Sequence, residues 1–139
     1  MFKLISAFVV THLMMFGATL LVNAGKAITT NRIKGAGTEP LHVAWGTGAG
    51  TAAATDTTLF TEATEARAAG TSTQQTTTVT NDTYQVIGTI TCAGAGKTIT
   101  NAGLFDAATS GNLFVKGDFT GIALNVGDSI QFTIKVQYS

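Results

Sequence analysis

Three kinds of residue in this chain could carry chemistry, and each is tested first against its spacing. Cys92 is the single cysteine, and the histidines are His12 and His42. A thiol and an imidazole can form a nucleophile pair wherever the fold brings them together, so spacing leaves a Cys92–His42 pair open. A small cysteine at an inward strand position is otherwise core packing. No two of the three show the short spacing of metal ligands. Gly46-Thr47-Gly48-Ala49-Gly50 has the glycine density of a dinucleotide loop, but it leads into a small polar stretch and not the helix that a βαβ unit needs. Gly94-Ala95-Gly96-Lys97-Thr98 ends like a phosphate-binding loop. The glycine required five positions before Gly96 is Thr91, however, so the segment reads as a hairpin turn.

Asp56, Asp82, Asp106, Asp118 and Asp128 each fall among turn-forming residues. There a carboxylate caps backbone amides; glycosidase or calcium chemistry would require convergence. Asn81-Asp82-Thr83 is a glycosylation sequon only in an exported eukaryotic chain. The expectation is therefore a protein with no catalytic, cofactor-binding or metal-binding residues: not an enzyme.

The elements that would position any site are mostly strands. Leu41, Val43 and Trp45 alternate along a first strand that stops at the glycines after it. Residues 49–58 are loop, and Leu59, Ala63 and Ala66 have the spacing of one or two helical turns within 59–69. The Thr/Gln tract from Thr71 to Thr80 suits an edge strand, because threonine is β-branched. Thr83 to Cys92, Thr98 to Phe105 and Leu113 to Phe119 each read as one strand, with a turn at 106–111. In the last strand Ile130, Phe132, Ile134, Val136 and Tyr138 alternate with polar residues after the turn at 126–129. Short strands without intervening long helices predict a mainly β fold, an antiparallel β-sandwich or jelly roll over residues 38–139. Residues 1–37 precede it as an apolar N-terminal arm and a short helix.

That arm carries three readings. Leu4 to Val22 holds no charge, and with Lys3 before it and Val22-Asn23-Ala24 after it the segment has the layout of a secretory signal cleaved at Ala24. It is also nearly long enough to span a membrane, though Ser6, Thr11, His12, Gly17 and Thr19 interrupt it. The third reading is an arm buried against the chain itself or a partner, extended over Phe2 to Val10. A helix comes next, marked by Leu20, Leu21, Ala24, Ala27, Ile28 and Asn31, and stops at Gly35.

Charged residues make up 12% of the sequence and the net charge is zero, so little electrostatic repulsion opposes association and the composition favours life inside an assembly. Lys3, Lys26, Arg32 and Lys34 all precede the first acid, Glu39. They suit an acidic neighbour, or are chance in a charge-poor chain. Spread over thirty residues and not clustered with exposed aromatics, they do not support nucleic-acid binding. One cysteine excludes an intramolecular disulfide.

Four pieces carry a likeness to a known class. They are Trp45-Gly46-Thr47-Gly48, then Asp56 to Arg67, then ITNAGLFDAATSG from Ile99 to Gly111, and LNVGDSI from Leu124 to Ile130. Together they resemble small virion proteins of tailed bacteriophages, of the tail-fibre-like and head-decoration groups. The resemblance implies a β-sandwich used symmetrically, often as a homotrimer, with no catalytic residues to carry over. Size, low charge and the arm lead to the expectation of a capsid decoration or cement protein that stabilises the head by binding between subunits of the major capsid protein. The alternatives are a tail fibre, collar or baseplate adaptor bound to tail proteins, and a secreted bacterial surface β-domain left after cleavage at Ala24. The first two imply location in the virion, and neither involves nucleic acid or a small-molecule substrate.

Overall fold

The computed structural model describes residues 19–138. The extended reading of Phe2 to Val10, His12, Lys3 and most of the candidate span lie outside them. Among the described residues no helix is long and apolar enough to cross a membrane.

The chain forms β1 (Thr19–Leu21), α1 (Asn23–Ile33), β2 (His42–Gly46), β3 (Ala68–Ala69), β4 (Thr71–Gln75), β5 (Thr83–Thr91), β6 (Lys97–Phe105), β7 (Leu113–Leu124) and β8 (Ser129–Gln137). The strands make two antiparallel sheets, a five-stranded one in the order β1-β7-β6-β2-β3 and a three-stranded one in the order β4-β5-β8. This is an antiparallel β-sandwich. Val43, Trp45, Ile99, Leu104 and Phe114 from the larger sheet meet Val86, Ile90 and Val136 from the smaller one. Each such side chain contributes about 1.5–3 kcal/mol on burial, before conformational entropy opposes it.

The helix forms over Ala24, Ala27, Ile28 and Asn31 as their spacing indicates, but Leu20 and Leu21 do not join it, because they pair with β7 as β1; the helix ends by a nameable device. Gly35 takes φ +82°, a conformation that costs glycine nothing. The Gly35 N–H donates to Arg32 O and the Ala36 N–H to Asn31 O, the paired bonds of a Schellman cap. Residues 19–37 share the sheet and the core of the rest: Leu21 pairs with Val115 on β7 and Ile28 is buried in the main cluster. Val22 is fully buried and Ala24 lies inside α1. A cut at Ala24 would strip β1 and Val22 from the fold.

Three further local expectations are corrected. Residues 59–69 form no helical turns. Thr61 sits at φ +48°, Glu62 bridges to Gly46, and the Ala63 N–H donates to Trp45 O, so the open edge of β2 takes the backbone bonds that a threonine-rich helix would have made poorly. The segment 92–96 is not a hairpin turn, because β5 and β6 belong to different sheets. It crosses the sandwich, held where Cys92 N–H donates to Asp128 O and Gly127 N–H to Cys92 O across the matching β7–β8 crossing. The first strand does not alternate between core and solvent. Val43 to Gly46 are all buried, because residues 47–67 cover the outer face of the larger sheet.

Candidate functional site: a polar row under the 47–67 loop

The register of the larger sheet decides what that covered face contains. Ala44 pairs with Gly103 and Gly46 with Asn101 across β2 and β6, while Gly103 pairs with Lys116 and Asn101 with Asp118 across β6 and β7. Strand alternation therefore brings Asn101, Lys116 and Asp118 together on one face. Each of the three holds the loop above it. Asn101 is fully buried; its Oδ1 accepts the Phe60 N–H at 3.0 Å and its Nδ2 donates to Phe60 O at 3.2 Å and Gly48 O at 3.3 Å. Asp118 Oδ1 accepts the Ala52 N–H at 2.9 Å. Lys116, 1% exposed, donates to Asp56 Oδ2 at 2.9 Å and to Thr58 O at 3.1 Å, and its ammonium lies 3.1 Å from the centre of the Phe60 ring. That hydrogen bond from Lys116 holds the Asp56 carboxyl below the usual carboxylate range, against a smaller opposing effect of burial.

The glycines of the 46–50 segment serve the same closure. A Cβ on Gly46 would overlap the Phe60 carbonyl oxygen and lie 2.7 Å from Asn101 Oδ1; one on Gly48 would lie 2.6 Å from the Thr61 hydroxyl. They let two backbones approach. At the loop's end Arg67 forms a bidentate pair with Glu62, 2.7 and 3.0 Å, donates to Ala107 O at 3.0 Å and to Ser110 O, and lies 3.4 Å from the centre of the Phe105 ring. Glu65 ties the loop to the larger sheet and to the crossing between the sheets. It accepts from the Trp45 indole at 3.1 Å and the Ala93 N–H at 3.0 Å, and pairs with Lys97. Burial pushes its carboxyl up, but the Lys97 ammonium and the two N–H donors outweigh burial and bring it down to about 2.

The remaining sequence candidates fall elsewhere. All five aspartates accept backbone N–H groups: Asp56 from Ala53, Asp82 from Thr77, Thr78 and Val79, Asp106 from Asn112, Asp118 from Ala52, and Asp128 from Asn125. Asp118 does so from within β7 and not from a turn. Cys92 is buried beside the start of β6, whereas His42 pairs with Phe105 at its other end, so the two do not meet. Among the described residues no three of His, Cys, Asp and Glu are placed to hold a metal ion. The sequence reading overlooked Asn101, Lys116 and Glu65. The signal for Lys116 was present, a lysine and Asp118 two residues apart in an otherwise apolar strand, which puts both on one face.

The four pieces of the virion resemblance thus lie in the loop, in the strands beneath it and in the crossing to β8. The family model described as podophage GP4 fiber I protein gp80 matches residues 10–136. The chain belongs to this family. As a member of the podophage gp80 fibre family it is a structural protein of a phage virion, and its fibre name corrects the emphasis on capsid decoration. The secreted bacterial surface domain finds no support, since the match begins ahead of the proposed cleavage and runs through it. No curated protein and no solved structure matches the chain.

Proposed function

We propose that this protein is a non-enzymatic component of a phage tail fibre or its attachment, working as a rigid β-sandwich module joined to tail proteins and to further copies of itself. The observation that carries this reading is the fibre-family match over residues 10–136. The site chemistry supports it: the charged and amide groups under the 47–67 loop are engaged with backbone or with one another, an arrangement that fixes shape and leaves no poised nucleophile or base. In this reading neither nucleic acid nor a small-molecule substrate takes part. Gold-labelled antibody against the chain, imaged on intact particles, tests it. Label confined to the tail, at a dozen copies or fewer per particle, is the expected result. Label spread over the head at hundreds of copies would overturn it in favour of decoration.

A further inference from the structure

Among the described residues the two sheets present four outer strands, and three are poor templates for another chain. Among the described residues β1 has three residues, β3 has two, and β4 is five residues of Thr, Ser and Gln. Beyond β1 the edge of β7 is bent, since the register jumps from Ile99↔Ile122 to Asn101↔Asp118 and leaves extra residues on β7. The fourth, β8, is different. It runs for nine residues in unbroken register with β5, from Thr91↔Ser129 to Thr83↔Gln137, with no proline, glycine or bulge and one charge, Lys135. Its inward side chains Ile130, Phe132 and Ile134 are only partly buried although they pack against the main core. A long, regular, half-apolar edge without blunting devices is an association site.

We propose that β8 is the contact between two copies of this chain, paired antiparallel about a two-fold axis at Thr133. The three-stranded sheets of two molecules then form one continuous sheet. The register follows from the sequence. An axis at Thr133 overlaps all nine residues, sets Ile130 opposite Val136 and Phe132 opposite Ile134, and places Lys135 opposite Gln131. Moving the axis to Lys135 would set that lysine against its own copy, a like-charge pair that disfavours the register. Because the other edges are short or bent, the pairing is isologous: the same strand on both sides. Its biological sense rests on the fibre reading, but a chain that stays monomeric defeats the pairing alone, whereas tail location is decided by imaging.

Sedimentation of the purified full chain, with three variants, tests it. The wild type forms a dimer. Gln131→Lys, at an exposed outward position, sets two lysine pairs against each other across the axis and weakens the dimer about ten-fold; Gln131→Glu strengthens it, and added salt reduces both effects. Thr133→Cys gives a disulfide-linked dimer on oxidation, while Thr73→Cys on the β4 edge does not, and buried Cys92 stays silent. A monomer at all concentrations, a trimer, a dimer indifferent to the charge at 131, or equal cross-linking from both cysteines would each overturn the proposal.

Discussion

Lys116 Nζ lies 2.9 Å from Asp56 Oδ2 under the 47–67 loop, with the lysine side chain 1% exposed and the aspartate 21% exposed. The two partners are not equivalent. Lys116 sits in the sheet and would be a buried charge without its pair, whereas Asp56 sits in the covering loop with one side toward water. Lys116→Met keeps the stem's packing, leaves Thr58 O without its lysine donor and leaves Asp56 with the Ala53 N–H alone. It should cost about 2–3 kcal/mol, below the range for a fully buried pair because Asp56 can rehydrate. Asp56→Asn strands the buried ammonium with only neutral partners, the Thr58 carbonyl and the new amide oxygen, and should cost more, about 3–5 kcal/mol. Urea unfolding of both variants checks the order. Equal costs would mean that the buried ammonium does not depend on the Asp56 charge.

Asn101→Ala should loosen the same loop by another route. It removes the acceptor of the Phe60 N–H and the donor to Phe60 O and Gly48 O at a fully buried position, so about 2–3 kcal/mol is expected. Hydrogen exchange should show the Phe60 amide losing protection before the amides of β5, which lies in the other sheet.

Glu65 predicts an acid-sensitive clasp. Its carboxyl sits at about 2 in the folded chain against an ordinary 4.5, so folding is favoured by its ionised form. That contribution is complete above about pH 4.5 and is lost as pH falls toward 2, where the folded carboxyl also takes up its proton. Stability measured by urea unfolding at several pH values should therefore fall between pH 4.5 and 2 in the wild type. In Glu65→Gln it should start lower at pH 7 and fall less steeply over that interval. Parallel curves for the two proteins would assign the acid sensitivity to another group.

How much the sequence made legible depends on the range of the interactions. The helix stop at Gly35 and the edge strand after Thr71 come from neighbours within a few residues, where backbone conformation and side-chain shape decide. The helical spacing of Leu59, Ala63 and Ala66 misleads because the partners that win are distant: β2 offers Trp45 O and Gly46, and Arg67 reaches across to the 107–110 turn. Likewise the 94–98 segment looks like a hairpin until its flanking strands are known to belong to different sheets. Turn chemistry does not encode which sheet the next strand joins. The polar row was legible only in outline, since pairing Asn101 with Asp118 requires the β6–β7 register.

Phe132 tests the last strand on its own. Alternation places it inward, and its ring meets Trp45 edge-on with centroids 6.2 Å apart, so the face is right. Its burial is incomplete, however, because β8 is the outer strand of the smaller sheet, and a full Phe→Ala core cost of about 3–5 kcal/mol overstates the loss within one molecule. Phe132→Ala should cost about 2–3 kcal/mol at concentrations where the chain is monomeric, against about 3–5 kcal/mol for Phe114→Ala, whose side chain is buried in the sheet opposite. Paired unfolding measurements at low and high protein concentration separate the contributions. If β8 pairs with β8 of a second copy, the cost of Phe132→Ala grows with concentration while that of Phe114→Ala does not; a cost that stays constant places the contribution of Phe132 wholly within one chain.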